Sequence, residues 1–145
     1  MSKLRTAKEC AKAMWSGDAA SKSLGMKVEI RSVGSATARM TVREDMINGF
    51  GVCHGGILFA LADTAFAFAC NGYNEMTVAA SGTIDFLRPA KLGDELCATA
   101  SEEHRGRRSG YYLVRIENQD GKVVALFKGR SVSRDEPVVK KKTDT

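Results

Sequence analysis

"HGGILFALADTAFAFAC", residues 54–70, decides the fold. From Ile57 to Cys70 every residue is apolar except Asp63 and Thr64, with alanines at 60, 62, 65, 67 and 69. A helix that is apolar on every face is buried on every face, and alanine lets neighbouring backbone come close. The run is shorter than the ~20 residues a membrane span requires, and Gly72 and Asn74 end it. A carboxylate in such company is expensive, so Asp63 needs a partner or a use.

The flanking segments say what surrounds this helix. "NGFGVCHGG" (48–56) holds four glycines in nine residues and is a loop. Before it, "MKVEIRSV" (26–33) and "ATARMTV" (36–42) alternate apolar and polar residues about Gly34-Ser35, which predicts a hairpin. Residues 6–25 predict a helix with Ala11, Met14 and Trp15 on one face, a break at Gly17-Asp18, and a short second helix closed by Gly25. After the buried helix come four strands, at 76–87, 94–104, 110–119 and 122–133, the last two joined by Asp120-Gly121. The first of them is expected to put Val78, Ala80, Gly82, Ile84 and Phe86 on one face and Thr77, Ser81, Thr83 and Asp85 on the other. The tail, 134–145, lacks periodicity and is expected to be loose.

Strands and helices are segregated along one 145-residue domain, with a helical segment at 1–25. That order predicts an α+β fold with a curved antiparallel sheet wrapped around the central helix. One sheet of this size cannot cover the helix on all sides, so a second subunit is expected to supply the rest.

Composition narrows the function classes. Charged residues make up 27% and hydrophobic residues 43%, ordinary for a soluble domain. The formal net charge of +5 suits an anionic ligand or a plain solvated surface. No aromatics interleave with basic residues as a nucleic-acid surface requires. Cys10, Cys53, Cys70 and Cys97 form no C-x-x-C, and the only histidines are His54 and His104, so no metal site is expected. Unpaired cysteines and an N-terminus without an apolar signal run predict a cytoplasmic protein.

The residues around Asp63 suggest a chemistry. Gly55-Gly56 sits where the helix begins, and helix N-termini present free N–H groups with partial positive charge. Glycine there lets an acyl group approach the backbone. Asp63 lies two turns on, about 12 Å along the axis, too far to serve a carbonyl held at its own helix N-terminus. The spacing therefore predicts a composite site, with an antiparallel partner helix bringing its own N-terminus beside Asp63. The competing reading is a structural Asp63 bonded to backbone or to a core arginine. His54 either acts on the substrate or orients the loop, and Asn48 either binds substrate or shapes the loop through its side chain.

The stretch "NGFGVCHGGILFALAD" (48–63) resembles the signature N-x-x-G-x-x-H-G-G-x-x-F-x-L-A-D of hotdog-fold acyl-CoA thioesterases of the phenylacetate-degradation type. Asn48, Gly51, His54, Gly55, Gly56, Phe59, Leu61, Ala62 and Asp63 all match, and "TIDFLRPAKLGDEL" (83–96) resembles the strand and turn that follow. The likeness runs from about Met26 to Val132. It implies a hotdog fold, Asp63 as nucleophile or general base, the Gly55 amide as oxyanion donor, and Asn48 and His54 as helpers. It implies a dimer of dimers with each site shared between subunits, and ring-hydroxylated phenylacetyl-CoA or a similar aryl-acetyl-CoA as substrate. No cofactor is implied beyond the coenzyme A of the substrate itself. Sister branches place a water-holding hydroxyl four residues after the carboxylate, where this chain has Ala67. Arg88, Lys91, Arg105, Arg107 and Arg108 are candidates to hold the phosphates of coenzyme A, against the plainer reading of a charged hairpin loop.

Two rivals stand beside this reading. A hotdog enoyl-CoA hydratase usually takes its Asp and His from one segment with the Asp first, whereas His54 here precedes Asp63. A non-catalytic acyl-CoA sensor has no need of a carboxylate at 63.

Overall fold

The computed structural model describes residues 2–140. α1 (Lys3–Ser16) begins at Ser2, whose hydroxyl accepts the Arg5 N–H, and ends at Gly17. α2 (Ala19–Ser23) is a short helix capped by Asp18. β1 (Lys27–Ser32) and β2 (Ser35–Thr41) form the expected hairpin, with Gly34 at φ +81° in its turn. A single 3-10 turn (Glu44–Met46) leads into the glycine-rich loop and then α3 (Gly55–Cys70). β3 (Thr77–Phe86), β4 (Glu95–Arg105), β5 (Ser109–Glu117) and β6 (Val123–Ser133) complete the described elements. The six strands make one antiparallel sheet in the order β1-β2-β4-β5-β6-β3.

α3 lies against the inner face of this sheet, and the strand residues explain how it fits. Ala36 pairs with Ala100 and Ala38 with Ala98 across β2 and β4, so small side chains line the trough under the helix. Leu58, Leu61, Ala62, Ala65 and Phe66 fill that trough, and Leu96, Val114, Ile116, Val124 and Phe127 close around them. Phe66 packs edge-on to Tyr112 and tilted to Phe127, with ring centroids 5.5 and 5.8 Å apart. Gly129 of β6 makes this packing possible: a Cβ there would stand 2.9 Å from both Phe66 Cζ and Phe127 Cε1. Gly129→Ala should therefore destabilise the fold by about 1–3 kcal/mol through overpacking, read as a lower urea midpoint with an unchanged m-value.

The cover is incomplete in the way the sequence predicts. Leu58, Leu61, Ala62, Ala65, Phe66, Phe68 and Ala69 of α3 are buried, but Phe59, Ala60, Asp63 and Ala67 remain half-buried. On the same side, β3 is an edge strand of ten residues, nearly all of them exposed.

Three expectations need correction. α3 starts at Gly55, two residues before the apolar run, because His54 caps it. The face assignment of β3 holds only for its second half. Gly82, Ile84 and Phe86 pair with the inward residues Gly129, Phe127 and Ala125, but a bulge between Ala79 and Ser81 switches the alternation. Thr77 and Ala79 therefore lie on the inward side, and Val78 on the outward side. The tail is anchored as far as Val139. Arg134 N–H donates to the Met76 carbonyl at 2.8 Å, Met76 N–H to that of Glu136 at 2.6 Å, and Val139 N–H to Asn74 Oδ1 at 2.8 Å. These bonds extend the β3–β6 ladder past its last named pair, which composition cannot show. Residues 141–145 of the expected loose tail lie outside the described residues.

Candidate active site

The N-terminus of α3 is built around His54. Its backbone is extended (φ −60°, ψ 134°), and its Nδ1 accepts the Gly56 N–H at 3.2 Å. Its carbonyl takes the Ile57 and Leu58 N–H groups at 3.0 and 3.3 Å. A neutral ring that accepts at Nδ1 carries its proton on Nε2, so His54 offers an outward N–H donor. Among the described residues the Gly55 N–H has no acceptor, and it alone of the first helical amides is left over. It points from the positive end of the helix dipole. A Cβ on Gly55 would come within 2.9 Å of Phe86 Cζ, so the end of β3 covers this position.

Asn48 shapes the loop that delivers His54. Its Oδ1 accepts the Phe50 N–H at 2.9 Å and the Val52 N–H at 3.3 Å, and its own N–H donates to the Val52 carbonyl at 2.8 Å. Gly51, at φ +80°, makes the tight turn. The loop-shaping reading of Asn48 thus has direct support, while its side-chain amide is left available to donate. Asn48 and Gly55 line one cavity of about 370 Å³ together with Val52, Cys53, Leu58, Phe86, Leu87 and Arg88. A larger hollow, about 660 Å³, lies among Lys27, Arg39, Glu95 and Glu117 and holds none of these groups.

Asp63 is half-buried and makes no hydrogen bond or ion pair among the described residues. Burial pushes the pKa of its carboxyl up from the ordinary aspartate value. Among the described residues no core arginine or backbone donor meets it. It also does not share a site with its own Gly55, being eight residues further along the helix.

The basic candidates separate into two places. Arg88 is exposed at the rim of the Gly55 cavity. Arg105, Arg107 and Arg108 occupy the β4–β5 turn, beside Cys70 at the opposite end of α3. Arg105 is committed: its guanidinium lies 3.7 Å from the Tyr73 ring centroid and pairs with Glu75 at 3.2 Å. Arg108 makes a loose exposed pair with Asp135 at 3.7 Å, and Arg107 has no carboxylate partner among the described residues. The role of Phe86 over Gly55 has no signal in the sequence beyond its inward position on a strand.

Comparison with known proteins places this arrangement. Residues 50–125 match the model of the thioesterase superfamily. The acyl-coenzyme A thioesterase PaaI of Escherichia coli is 50% identical over 121 residues, covering 83% of this chain and 86% of that protein. The solved structure of E. coli PaaI, from the phenylacetic acid degradation operon, superposes with a TM-score of 0.92 at 46% identity, covering 94% of this chain and 99% of that one. A hypothetical thioesterase of Streptococcus pneumoniae TIGR4, solved with coenzyme A, superposes at 0.73 with 25% identity over 77% of this chain and 90% of that one. With its six-stranded antiparallel sheet and central helix, this chain belongs to the hotdog-fold thioesterase superfamily and is an acyl-CoA thioesterase.

Proposed function

We propose that this enzyme hydrolyses aryl-acetyl-CoA thioesters in sites that two copies of the chain build together. One observation carries the shared site: a half-buried carboxylate without a partner and an amide without an acceptor, on one helix but too far apart to meet. Two antiparallel copies of α3 bring Asp63 of one against Gly55 of the partner subunit. The small residues Gly56, Ala60 and Ala67 beside Asp63 permit that approach. The long exposed edge of β3 favours it too, since an unpaired edge strand is a ready template for a second copy.

In this site the thioester carbonyl oxygen accepts from the N–H of the partner's Gly55, and the helix dipole stabilises the oxyanion as it forms. Asp63 takes a proton from the attacking water, or attacks directly to give an anhydride that water then opens. Either route ends in the carboxylic acid and the free thiol of coenzyme A, with no further cofactor. On this reading the Nε2–H of the partner's His54 and the side-chain amide of the partner's Asn48 orient the substrate.

Antiparallel pairing of β3 with itself sets its Phe86 end beside the partner's Thr77 end. Arg88 then faces the partner's β4–β5 turn, so Arg88 with Arg107 and Arg108 of the partner subunit makes a cationic frame for the coenzyme's phosphates. Arg88→Ala and Arg107→Ala should each raise KM about tenfold with kcat nearly unchanged, the sign of lost uniform binding. Arg105, already paired and stacked, should matter less for KM. Wild-type KM in the Arg88, Arg107 and Arg108 variants would remove this assignment. The exposed Tyr111, Leu113 and Leu126 on the outer sheet face fit a second contact that joins dimers into a tetramer. Four free thiols suit a reducing, cytoplasmic setting.

Free-thiol release measured across a panel of acyl-CoA esters tests the substrate class. Aryl-acetyl esters should give the highest kcat/KM, and a higher value for palmitoyl-CoA than for every aryl ester would overturn it.

A further inference from the structure

We propose that Ser21 and Thr64 are positioning residues of the thioesterase, through which the short helix α2 fixes the aim of Asp63. The inference rests on the reading of Asp63 as a catalytic residue. Asp63 has no side-chain partner among the described residues, so the place its carboxylate occupies follows from where the helix backbone puts it. What holds that backbone therefore holds the carboxylate.

Among the described residues, the Asn71 cap ties the far end of α3 to Thr77 of β3, and one side-chain hydrogen bond reaches another element from within the helix itself; it falls on the residue after Asp63. The Thr64 hydroxyl donates to the Ala60 carbonyl at 2.9 Å, which commits its proton. The Ser21 hydroxyl, 3.1 Å away, must then be the donor to Thr64 Oγ1. Ser21 is 3% exposed, so this bond is shielded from competing water.

Ser21 is itself held at both of its backbone groups. Its N–H donates to Asp18 Oδ1 at 3.0 Å and its carbonyl accepts the Met26 N–H at 3.0 Å. Two residues on, the Ser23 carbonyl accepts from Arg43 Nη2 at 3.1 Å. From Arg43 the brace continues to the other half-site of the same chain. The Arg43 carbonyl accepts the Met46 N–H at 3.0 Å, and the Met46 carbonyl accepts the His54 N–H at 2.8 Å. α2 is thus joined by hydrogen bonds to the residue beside Asp63 and to the cap that leaves Gly55 free. A five-residue helix with no apolar face of its own has a clear use as this brace.

The test compares Ser21→Ala, Thr64→Val, their double variant and Thr64→Ser in steady-state hydrolysis, with Asp63→Asn alongside. Ser21→Ala and Thr64→Val should each lower kcat about five- to tenfold, since one hydrogen bond is lost and misplacement of a reacting group is costly. KM should stay unchanged. The double variant should be no worse than either single one, because both remove the same bond. Thr64→Ser keeps the hydroxyl and should restore kcat. Wild-type kcat in both single variants, with only a lower melting temperature, would reduce the pair to a structural contact and overturn the proposal. Additive losses in the double variant would overturn it as well. If instead Asp63→Asn hydrolyses at near wild-type rate, the reading of the site is what fails.

Discussion

Asp63→Asn should lower kcat by about 10²–10⁴-fold if the carboxylate is a general base, and by more if it is the nucleophile. The substitution preserves shape and removes both the charge and the ability to take a proton or attack. It should not unfold the protein, because Asp63 bonds to nothing among the described residues. Removing the charge removes a desolvation cost, so the melting temperature should hold or rise. Acyl-CoA affinity should stay within about tenfold, since the Gly55 amide is untouched. Activity near wild type, or a protein that no longer folds, would refute the catalytic assignment.

The pH dependence has a defined sign. Burial favours the protonated form of Asp63, so between the ordinary aspartate pKa and the raised folded one the folded chain binds more protons than the unfolded one. Stability contributed by this group therefore falls as pH rises through that window. Activity runs the other way, because the reaction needs the carboxylate, and the acid limb of kcat/KM should lie higher than an exposed aspartate would put it. Asp63→Asn should lose the corresponding part of the stability profile. A profile of unfolding free energy against pH that is superimposable for both proteins would contradict the burial argument.

The fold was legible where a pattern has a single physical solution. A helix without a polar face, between residues 57 and 70, can only sit inside something, and the alternating segments around it supply the sheet. The Asp63–Gly55 spacing was legible for the same reason, since helical rise converts eight residues into a distance. What failed to show were features that depend on one residue or on distant contacts. The bulge at Ala79/Ser81 is a single extra residue that alternation does not register, so alternation alone puts Thr77 and Val78 on the wrong faces. The anchoring of Arg134 to Val139 depends on Asn74 and Met76, some sixty residues earlier. The basic residues looked like one group in composition, but the hairpin carries Arg105, Arg107 and Arg108 to the opposite end of α3 from Arg88. Ser21 offered no signal at all. Its value comes from meeting Thr64 across 43 residues of chain.

Gly55→Pro should lower kcat by about 10²–10³-fold while the fold survives, because it deletes one oxyanion donor and little else. Gly55 is the first residue of α3, where proline is favoured in helices and its missing N–H breaks no helical bond. His54 already has the extended backbone that a residue before proline prefers. Either substitution pushes the exposed Phe86 ring aside, so Gly55→Ala controls for that displacement while keeping the N–H. The loss beyond Gly55→Ala is the contribution of the amide. Mixing then locates the partner of that amide. Asp63→Asn and Gly55→Pro chains are each inactive alone, but a mixed dimer with a shared site rebuilds one complete site from the intact halves and leaves the other doubly damaged. With random exchange at equal amounts, half the dimers are mixed and half their sites are whole, so activity should return to about a quarter of wild type. If each site belonged to one chain, every site in the mixture would carry one lesion and no activity would return, however complete the exchange.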